Sequence, residues 1–419
     1  MQSLLLDRLT RKITPLEFCT TISESFYTNF QQTVGNDVFP PNCHHNAAVN
    51  SLSVESENRY VLSGCADSSI KLWDTYQSES TSTVDGPDLY DDENADDMAD
   101  YDNPKSVISN IATIPRKSAH EFGVSCIQWW PYDSGMFVSS SFDHTVKVWA
   151  TEELEIVHSF DMENRVYSID ICGSKVNTHT SNALVAVASD QPFIRLLDLR
   201  TSSSAHSLSG HKGKTLVVKW HSQNPNLLAS GGFDGEVKIW DIRRSQSCLC
   251  RLDMLKTNIA GESNKGSSQS FDDNLKKASV KAHSGPVNGL VWDPQGHTLY
   301  STGNDDKIRV WDFISSSAPP INKLVNFGPL TRNKYPQTIP ILLSPPKETE
   351  LQYLIFPSDN DDIFIFRTID GKLVSRLIRR GDKRNGRTSA MAYMSSEMGT
   401  YLCGTMDGEI IKWSPKLEV

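Results

Sequence analysis

No run of about 18 apolar residues occurs in the 419-residue chain, which argues against a membrane-spanning helix. Residues 1–8 hold only a short apolar run before charge returns, too little for a signal peptide. The eight cysteines (19, 43, 65, 126, 172, 248, 250 and 403) show no zinc-ligand spacing, and Cys248 and Cys250 are one residue apart rather than two. They read as reduced thiols of a cytosolic or nuclear protein, and no metal or cofactor is expected. There is no Gly-rich phosphate loop and no nucleophile elbow. Long helical periodicity is missing beyond the N-terminal stretch.

Basic residues are missing from one segment only. Residues 79–102 carry ten acids and no Lys or Arg. The whole chain has 51 acidic and 41 basic residues, so without that segment the balance is 41 to 41. A run of this kind repels itself and cannot bury a core, so it is expected to be a disordered insertion; residues 256–280 read as a second, flexible one. The neutral remainder is not the footprint of a strongly basic nucleic-acid binder.

What is present is a repeat. Asp67-Ser-Ser-Ile-Lys-Leu-Trp73 recurs at Asp143 to Trp149, Asp234 to Trp240 and Asp305 to Trp311, and more weakly at Asp407 to Trp413. Degenerate copies run from Asp190 to Asp198 and end at Ile363-Phe-Ile-Phe366. Residues alternate apolar and polar with a period of two before each Trp, as in strands. Four short strands per repeat, seven times over, predict an all-β fold, a seven-bladed β-propeller spanning residues 36–419. Only six residues follow Trp413, too few for an outer strand, so the last blade needs a strand from elsewhere. Residues 36–43 are the expected source.

Four blades share His, Ser, Asp and Trp at fixed spacing: His45, Ser63, Asp67 and Trp73; His120, Ser139, Asp143 and Trp149; His211, Ser230, Asp234 and Trp240; His283, Ser301, Asp305 and Trp311. A Ser–His–Asp set could suggest nucleophilic catalysis. Catalysis needs such a set once, whereas four copies with a fixed Trp fit a hydrogen-bonded chain that pins each blade.

The Gly210-His211 and Trp240-Asp241 pairs and the spacing between them resemble the WD-repeat family, which implies a non-enzymatic binding platform. Gln128-Trp-Trp-Pro-Tyr-Asp-Ser-Gly-Met-Phe137, Val237-Lys-Ile-Trp-Asp-Ile-Arg-Arg244, Ala282-His-Ser-Gly-Pro-Val-Asn-Gly289 and Leu324-Val-Asn-Phe-Gly328 together are similar to the Cockayne syndrome group A family. That resemblance implies a nuclear WD-repeat substrate receptor of a cullin-4 RING ubiquitin ligase, acting in transcription-coupled nucleotide excision repair. It implies direct binding to the ligase's adaptor, the damaged-DNA-binding protein large subunit, with cullin-4 and the RING subunit held indirectly. The substrate would be a repair or transcription protein.

Such receptors carry Trp-Asp-x-Arg in adjacent blades. Trp240-Asp241-Ile242-Arg243 matches fully, and Leu197-Asp198-Leu199-Arg200 matches except at its first position. Arg200 and Arg243 are therefore expected to contact the adaptor, or else to pair with their own Asp198 and Asp241. Thr14-Pro15-Leu16-Glu17 is a helix start with a capping box. Cys19, Ile22, Phe26 and Phe30 follow as an apolar stripe, and residues 1–34 are expected to form a helical docking segment with Leu16, Cys19, Ile22 and Phe26 among its adaptor contacts. The stripe could fill a groove of the adaptor or pack on the propeller itself. Arg379, Arg380, Lys383 and Arg384, with Arg376 and Arg387 nearby, form a basic stretch on the opposite face. It could meet nucleic acid or an acidic partner, or be a solvated loop. Few aromatics interleave it in sequence, which argues against base stacking. A scaffold for chromatin or transcription complexes outside any ligase would share the propeller but not need residues 1–34 or Arg243.

Overall fold

The computed structural model describes residues 2–32, 44–75, 108–173, 184–244, 248–257, 281–313, 320–379, 387–394 and 399–415. Two helices, α1 (Gln2–Leu9) and α2 (Pro15–Thr28), lead into a three-residue strand, β1 (Phe30–Gln32). Seven four-stranded antiparallel sheets follow. Blade 1 is β2 (Val49–Val54), β3 (Tyr60–Cys65), β4 (Ile70–Asp74) and β5 (Ser109–Ile114). Blade 2 is β6 (Val124–Trp129), β7 (Met136–Ser141), β8 (Thr145–Ala150) and β9 (Ile156–Asp161). Blade 3 is β10 (Val166–Ile171), β11 (Leu184–Ser189), β12 (Phe193–Asp198) and β13 (Ser203–Ser209). Blade 4 is β14 (Thr215–Trp220), β15 (Leu227–Gly232), β16 (Val237–Asp241) and β17 (Cys248–Arg251). Blade 5 is β18 (Val287–Trp292), β19 (Thr298–Gly303), β20 (Lys307–Asp312) and β21 (Ile321–Asn322). Blade 6 is β22 (Leu342–Leu343), β23 (Tyr353–Pro357), β24 (Asp362–Arg367) and β25 (Leu373–Ile378). Blade 7 is β26 (Thr388–Met394), β27 (Thr400–Thr405) and β28 (Ile410–Pro415), completed by β1.

The chain therefore folds as the seven-bladed β-propeller that the repeat predicts. Its core lies between blades, where the inward faces of neighbouring sheets meet. Trp73, Trp149, Trp240 and Trp311 are fully buried there.

One expectation is corrected. The strand that closes blade 7 is β1, which pairs antiparallel with β28 from Phe30 opposite Pro415 to Gln32 opposite Trp413. Residues 36–43 lie outside the described residues. The physical reason is local: α2 ends at Thr28 and hands Phe30 straight to the open edge, whereas residues 36–43 contain Pro40 and Pro41, which donate no ladder hydrogen bond. The docking segment expected over residues 1–34 thus shares its last described strand with the propeller.

The antiparallel order sorts the turns between two faces. One face carries the turns between second and third strands and the crossings between blades. The other carries the first-to-second and third-to-fourth turns, together with α2. Among the described residues, no helix is long and apolar enough to cross a membrane.

Candidate functional site: the helix-bearing face and the blade-pinning chains

In blades 2, 4 and 5 the four repeat residues form one hydrogen-bonded chain. The Trp149 Nε1–H donates to Ser139 Oγ at 2.8 Å, Ser139 Oγ meets His120 Nε2 at 2.7 Å, and His120 Nδ1 meets Asp143 at 2.8 Å. Trp240, Ser230, His211 and Asp234 repeat this at 2.8, 2.7 and 3.1 Å. Trp311, Ser301, His283 and Asp305 do so at 2.8, 2.7 and 2.9 Å. With the proton on Nδ1, the ring donates to its Asp while Nε2 accepts from the serine hydroxyl, which in turn accepts from the indole N–H; in blade 5 Arg309 also stands 2.7 Å from Nδ1. Blade 1 differs: Trp73 and His45 both meet Ser63, at 2.9 and 2.7 Å, but Ser69 stands between His45 and Asp67.

Each of these serine hydroxyls is fully buried and engaged at both ends, so none of the four faces solvent as a nucleophile. The residue after each Asp takes a left-handed conformation: Ser68, His144, Gly235, Asp306 and Gly408 all have positive φ. At Gly408 (φ +88°) a Cβ would sit 2.2 Å from the His45 carbonyl oxygen, so glycine is required there. Blades 3 and 6 have Leu197 and Phe366 where the Trp belongs, and blade 7 has Cys403 in place of the Ser. The buried Trp413 Nε1 consequently finds no acceptor.

Burial lowers the proton affinity of His120 and His283 and pulls His45 down to about 4. Burial also works against Asp234, but hydrogen bonds from His211 and two backbone N–H groups hold it at about 2. The sign for stability follows. Between pH 6.5 and 4 the unfolded chain protonates its His45 while the native chain does not, so stability falls as pH falls through that window. Acidification from pH 7 to 5 is expected to remove about 2 kcal/mol through His45 alone. Urea midpoints at the two pH values, compared with those of His45→Gln, check this; an equal pH dependence in both proteins refutes it.

His45, Cys65 and Asp67 place three metal-ligand atoms within 4.8 Å of one another. The Cys65 thiol is pushed up to about 12, chiefly by burial, and both His45 ring nitrogens are engaged by serines. These groups suit a hydrogen-bonded turn better than a thiolate metal site.

On the helix-bearing face, Thr14 caps α2 with the capping box foreseen from the sequence. The buried face of α2 is Ser23 and Tyr27, continued by Phe30 on β1, one residue out of register with the expected stripe. Tyr27 packs against Tyr353 and Phe30, with ring centroids 4.4 and 5.4 Å away. Its hydroxyl donates to Glu348, which also accepts from Tyr393 and Tyr401 at 2.6 and 3.2 Å. Glu24 adds ion pairs to Arg367 at 3.0 Å and Lys372 at 3.4 Å. The C-terminal half of α2 is thus riveted to blades 6 and 7. The sequence reading missed Tyr27; the Ser23, Tyr27, Phe30 spacing, also helical, was the available signal.

Cys19, Ile22 and Phe26 are only partly buried, and Phe26 lies over Gly399. Leu16 is exposed, as are Leu5, Leu6 and Leu9 of α1. Solvent-facing leucines therefore continue beyond the part of the helix pair that the propeller covers.

Arg200 and Arg243 lie in third-to-fourth-strand turns of blades 3 and 4, on the same face as α2 but across the disc from blades 6 and 7. Arg243 Nε and Nη2 donate to Asp241 at 3.0 and 2.8 Å, while its side chain stays 61% exposed. Arg200 only approaches Asp198, at 3.9 Å, and is 83% exposed. Local pairing orders Arg243 without burying it, and Arg200 is almost free.

The basic stretch on the opposite face is largely neutralised where it is described. Arg376 pairs with Asp362 at 2.6 Å, Arg379 with Glu409 and Asp407, and Arg387 with Asp359 at 3.0 Å. Arg380, Lys383 and Arg384 lie outside the described residues.

Sequence comparison agrees with this architecture. The model for the WD domain, G-beta repeat, matches residues 38–74, 111–150, 202–241 and 275–312. The molecule is a seven-bladed β-propeller, four stretches of which match the WD40 repeat, a fold that typically serves as a non-catalytic scaffold. It is similar to WD repeat-containing protein ATCSA-1 of Arabidopsis thaliana, with 27% identity over 98% of this chain and 94% of that protein. Radiation-sensitive protein 28 of Saccharomyces cerevisiae is 28% identical over 62% of this chain and 52% of the relative. Ribosome biogenesis protein ytm1 of Neurospora crassa is 25% identical over 64% of this chain and 54% of its own length. The chain thus spans nearly all of the first relative and about half of the other two.

Proposed function

We propose that this chain is the substrate-recognition subunit of a cullin-4 RING ubiquitin ligase in transcription-coupled nucleotide excision repair, working in the nucleus. The observation that carries the reading is the helix-bearing face. There a rigidly seated α2 leaves Leu5, Leu6, Leu9 and Leu16 in solvent, and two exposed arginines stand on the same face. Exposed apolar side chains on an anchored helix pair suit insertion into a groove of the adaptor propeller. The arginine forks suit bidentate contact with its carboxylates or carbonyls. Similarity to ATCSA-1 along nearly the whole chain supports the assignment, as does the radiation sensitivity in the name of the yeast relative. The chain would supply proximity, and the chemistry of ubiquitin transfer would belong to other subunits.

The ribosome-biogenesis relative favours a second reading, a scaffold outside any ligase. Adaptor affinity separates the two. Leu9→Asp with Leu16→Asp is expected to weaken binding to the damaged-DNA-binding protein large subunit about 30-fold, as loss of a central anchor does, with no change in melting temperature. Arg243→Ala is expected to weaken it as well. Wild-type affinity in both variants rejects the surface.

A further inference from the structure

We propose that the outer edge of blade 2, β9 and the turn that leads into it, docks a basic amphipathic helix of a partner protein, seated as α2 is seated on blade 6. The inference stands independently of the receptor reading above.

The molecule holds the precedent within itself. α2 packs along β25, the outer strand of blade 6. Val374 of that strand joins the cluster that contains Tyr27 and Phe30. At the foot of the strand, Arg367 and Lys372 bracket the turn and pair with Glu24 of α2 at 3.0 and 3.4 Å. A helix with two acids and no base thus sits on a basic turn, with apolar side chains beneath it.

Blade 2 repeats this edge position by position. The Ala150 N–H donates to the Glu155 carbonyl at 3.0 Å, as the Arg367 N–H donates to that of Lys372 at 2.9 Å. Leu154 and Gly371 both take positive φ, 54° and 75°. Trp149 opposes Ile156 as Phe366 opposes Leu373, and in both blades the register shifts at that point. Val157 is therefore the counterpart of Val374, and Glu155 of Lys372. Two things differ. No described helix packs along β9, so Val157 is 65% and Ile156 43% exposed. The turn has also changed sign: Glu152, Glu153 and Glu155 are exposed, and none forms an ion pair among the described residues.

Apolar side chains held in solvent beside unpaired carboxylates are complementary to a helix with an apolar stripe and a basic flank. Burial of Ile156 and Val157 would supply the affinity. The glutamates would select the sign and register of the helix, since exposed ion pairs add little strength by themselves. At the far end of β9, Asp161 is exposed as well, while Arg195 pairs with Glu163 at 3.3 Å. The neighbouring blades lack the combination: blade 3 places Ala205 at the equivalent position and Arg200 in its turn, and blade 4 places Leu249 beside Arg251. The acidic stretch 79–102 carries the wrong sign to occupy the site.

The test is fluorescence anisotropy on the full chain. The probe is a labelled, hydrocarbon-stapled peptide of residues 14–30 carrying Glu24→Lys, and the control is the same peptide with Glu24 kept. The substituted peptide is expected to bind the wild-type chain better than the control does, and to lose about tenfold in affinity on Val157→Asp. Glu155→Lys is expected to invert the preference, so that the control peptide binds better. Absence of binding to the wild-type chain, equal binding by wild type and Val157→Asp, or an unchanged preference in Glu155→Lys overturns the proposal. Both positions are exposed, so both variants are expected to melt like the wild type. The inversion in Glu155→Lys decides the matter should Val157→Asp melt early. Sedimentation of the chain alone tests the other occupant. A monomer in wild type and Val157→Asp alike leaves the edge to a partner, whereas a dimer that Val157→Asp dissociates gives it to a second copy and overturns the proposal.

Discussion

Deleting residues 1–32 is expected to abolish cooperative unfolding of the propeller, whereas deleting residues 1–13 leaves its melting temperature unchanged and removes adaptor binding. The longer deletion strips β1 from β28 and exposes a sheet edge. It also takes away Tyr27 and Phe30, which are 0% and 8% exposed and pack among Tyr353, Tyr401 and Trp413. Removing one buried aromatic costs about 3–5 kcal/mol, so the pair approaches the whole stability of an ordinary domain, about 5–15 kcal/mol. Glu348 would be left facing Tyr393 and Tyr401 without its third hydroxyl. The shorter deletion stops before the Thr14 cap and removes only α1 and its exposed leucines. Differential scanning calorimetry and adaptor affinity on both truncations check the result. A 1–32 deletion that melts like the full chain would show that β1 is dispensable. Loss of adaptor binding on removing the whole N-terminal segment therefore tests docking only if the propeller is still folded.

Trp240→Phe is expected to destabilise the chain by roughly 2–4 kcal/mol, and Trp413→Phe by about 1–3 kcal/mol less. Both changes shrink a buried ring on the third strand of its blade, so the cavity contribution is shared. The difference lies in the indole N–H. In blade 4 it donates to Ser230 at 2.8 Å and begins a chain ending at Asp234. In blade 7 Cys403 replaces the Ser and the corresponding N–H is buried without an acceptor, so removing it relieves a desolvated donor rather than breaking a bond. Denaturant titration of the two variants gives the comparison directly. Equal losses would mean that the four-residue chains contribute packing but no net hydrogen-bond stability.

The antiparallel order within each blade separates the helix-bearing face, proposed to dock, from the face opposite it. Every repeat contributes to both. Its Asp turn points to the face opposite α2, and its third-to-fourth-strand turn points to the face that holds Arg243 and α2.

The repeat itself determined the blade count, the buried tryptophans and the pinning chains of blades 2, 4 and 5, because Asp, Ser, His and Trp at fixed spacing satisfy one another locally, and local arrangements are legible in sequence; the insertion of Ser69 between His45 and Asp67 in blade 1 was not. The capping box of α2 was legible for the same reason. Which strand closes the ring was not, because β1 and β28 meet from opposite ends of the chain and no periodicity within a blade records their pairing. Nor did the sequence decide whether α2 serves the propeller or a partner. Folding divides it, burying Tyr27 against blade 6 and leaving Leu16 in solvent. The fate of the basic stretch was also a tertiary matter, since Asp359, Asp362, Asp407 and Glu409 reach Arg387, Arg376 and Arg379 only once blades 6 and 7 are side by side. The different surroundings of Val157 and Val374 were tertiary as well, because the two hold equivalent places in their repeats and no repeat records which outer strand the N-terminal helix will cover.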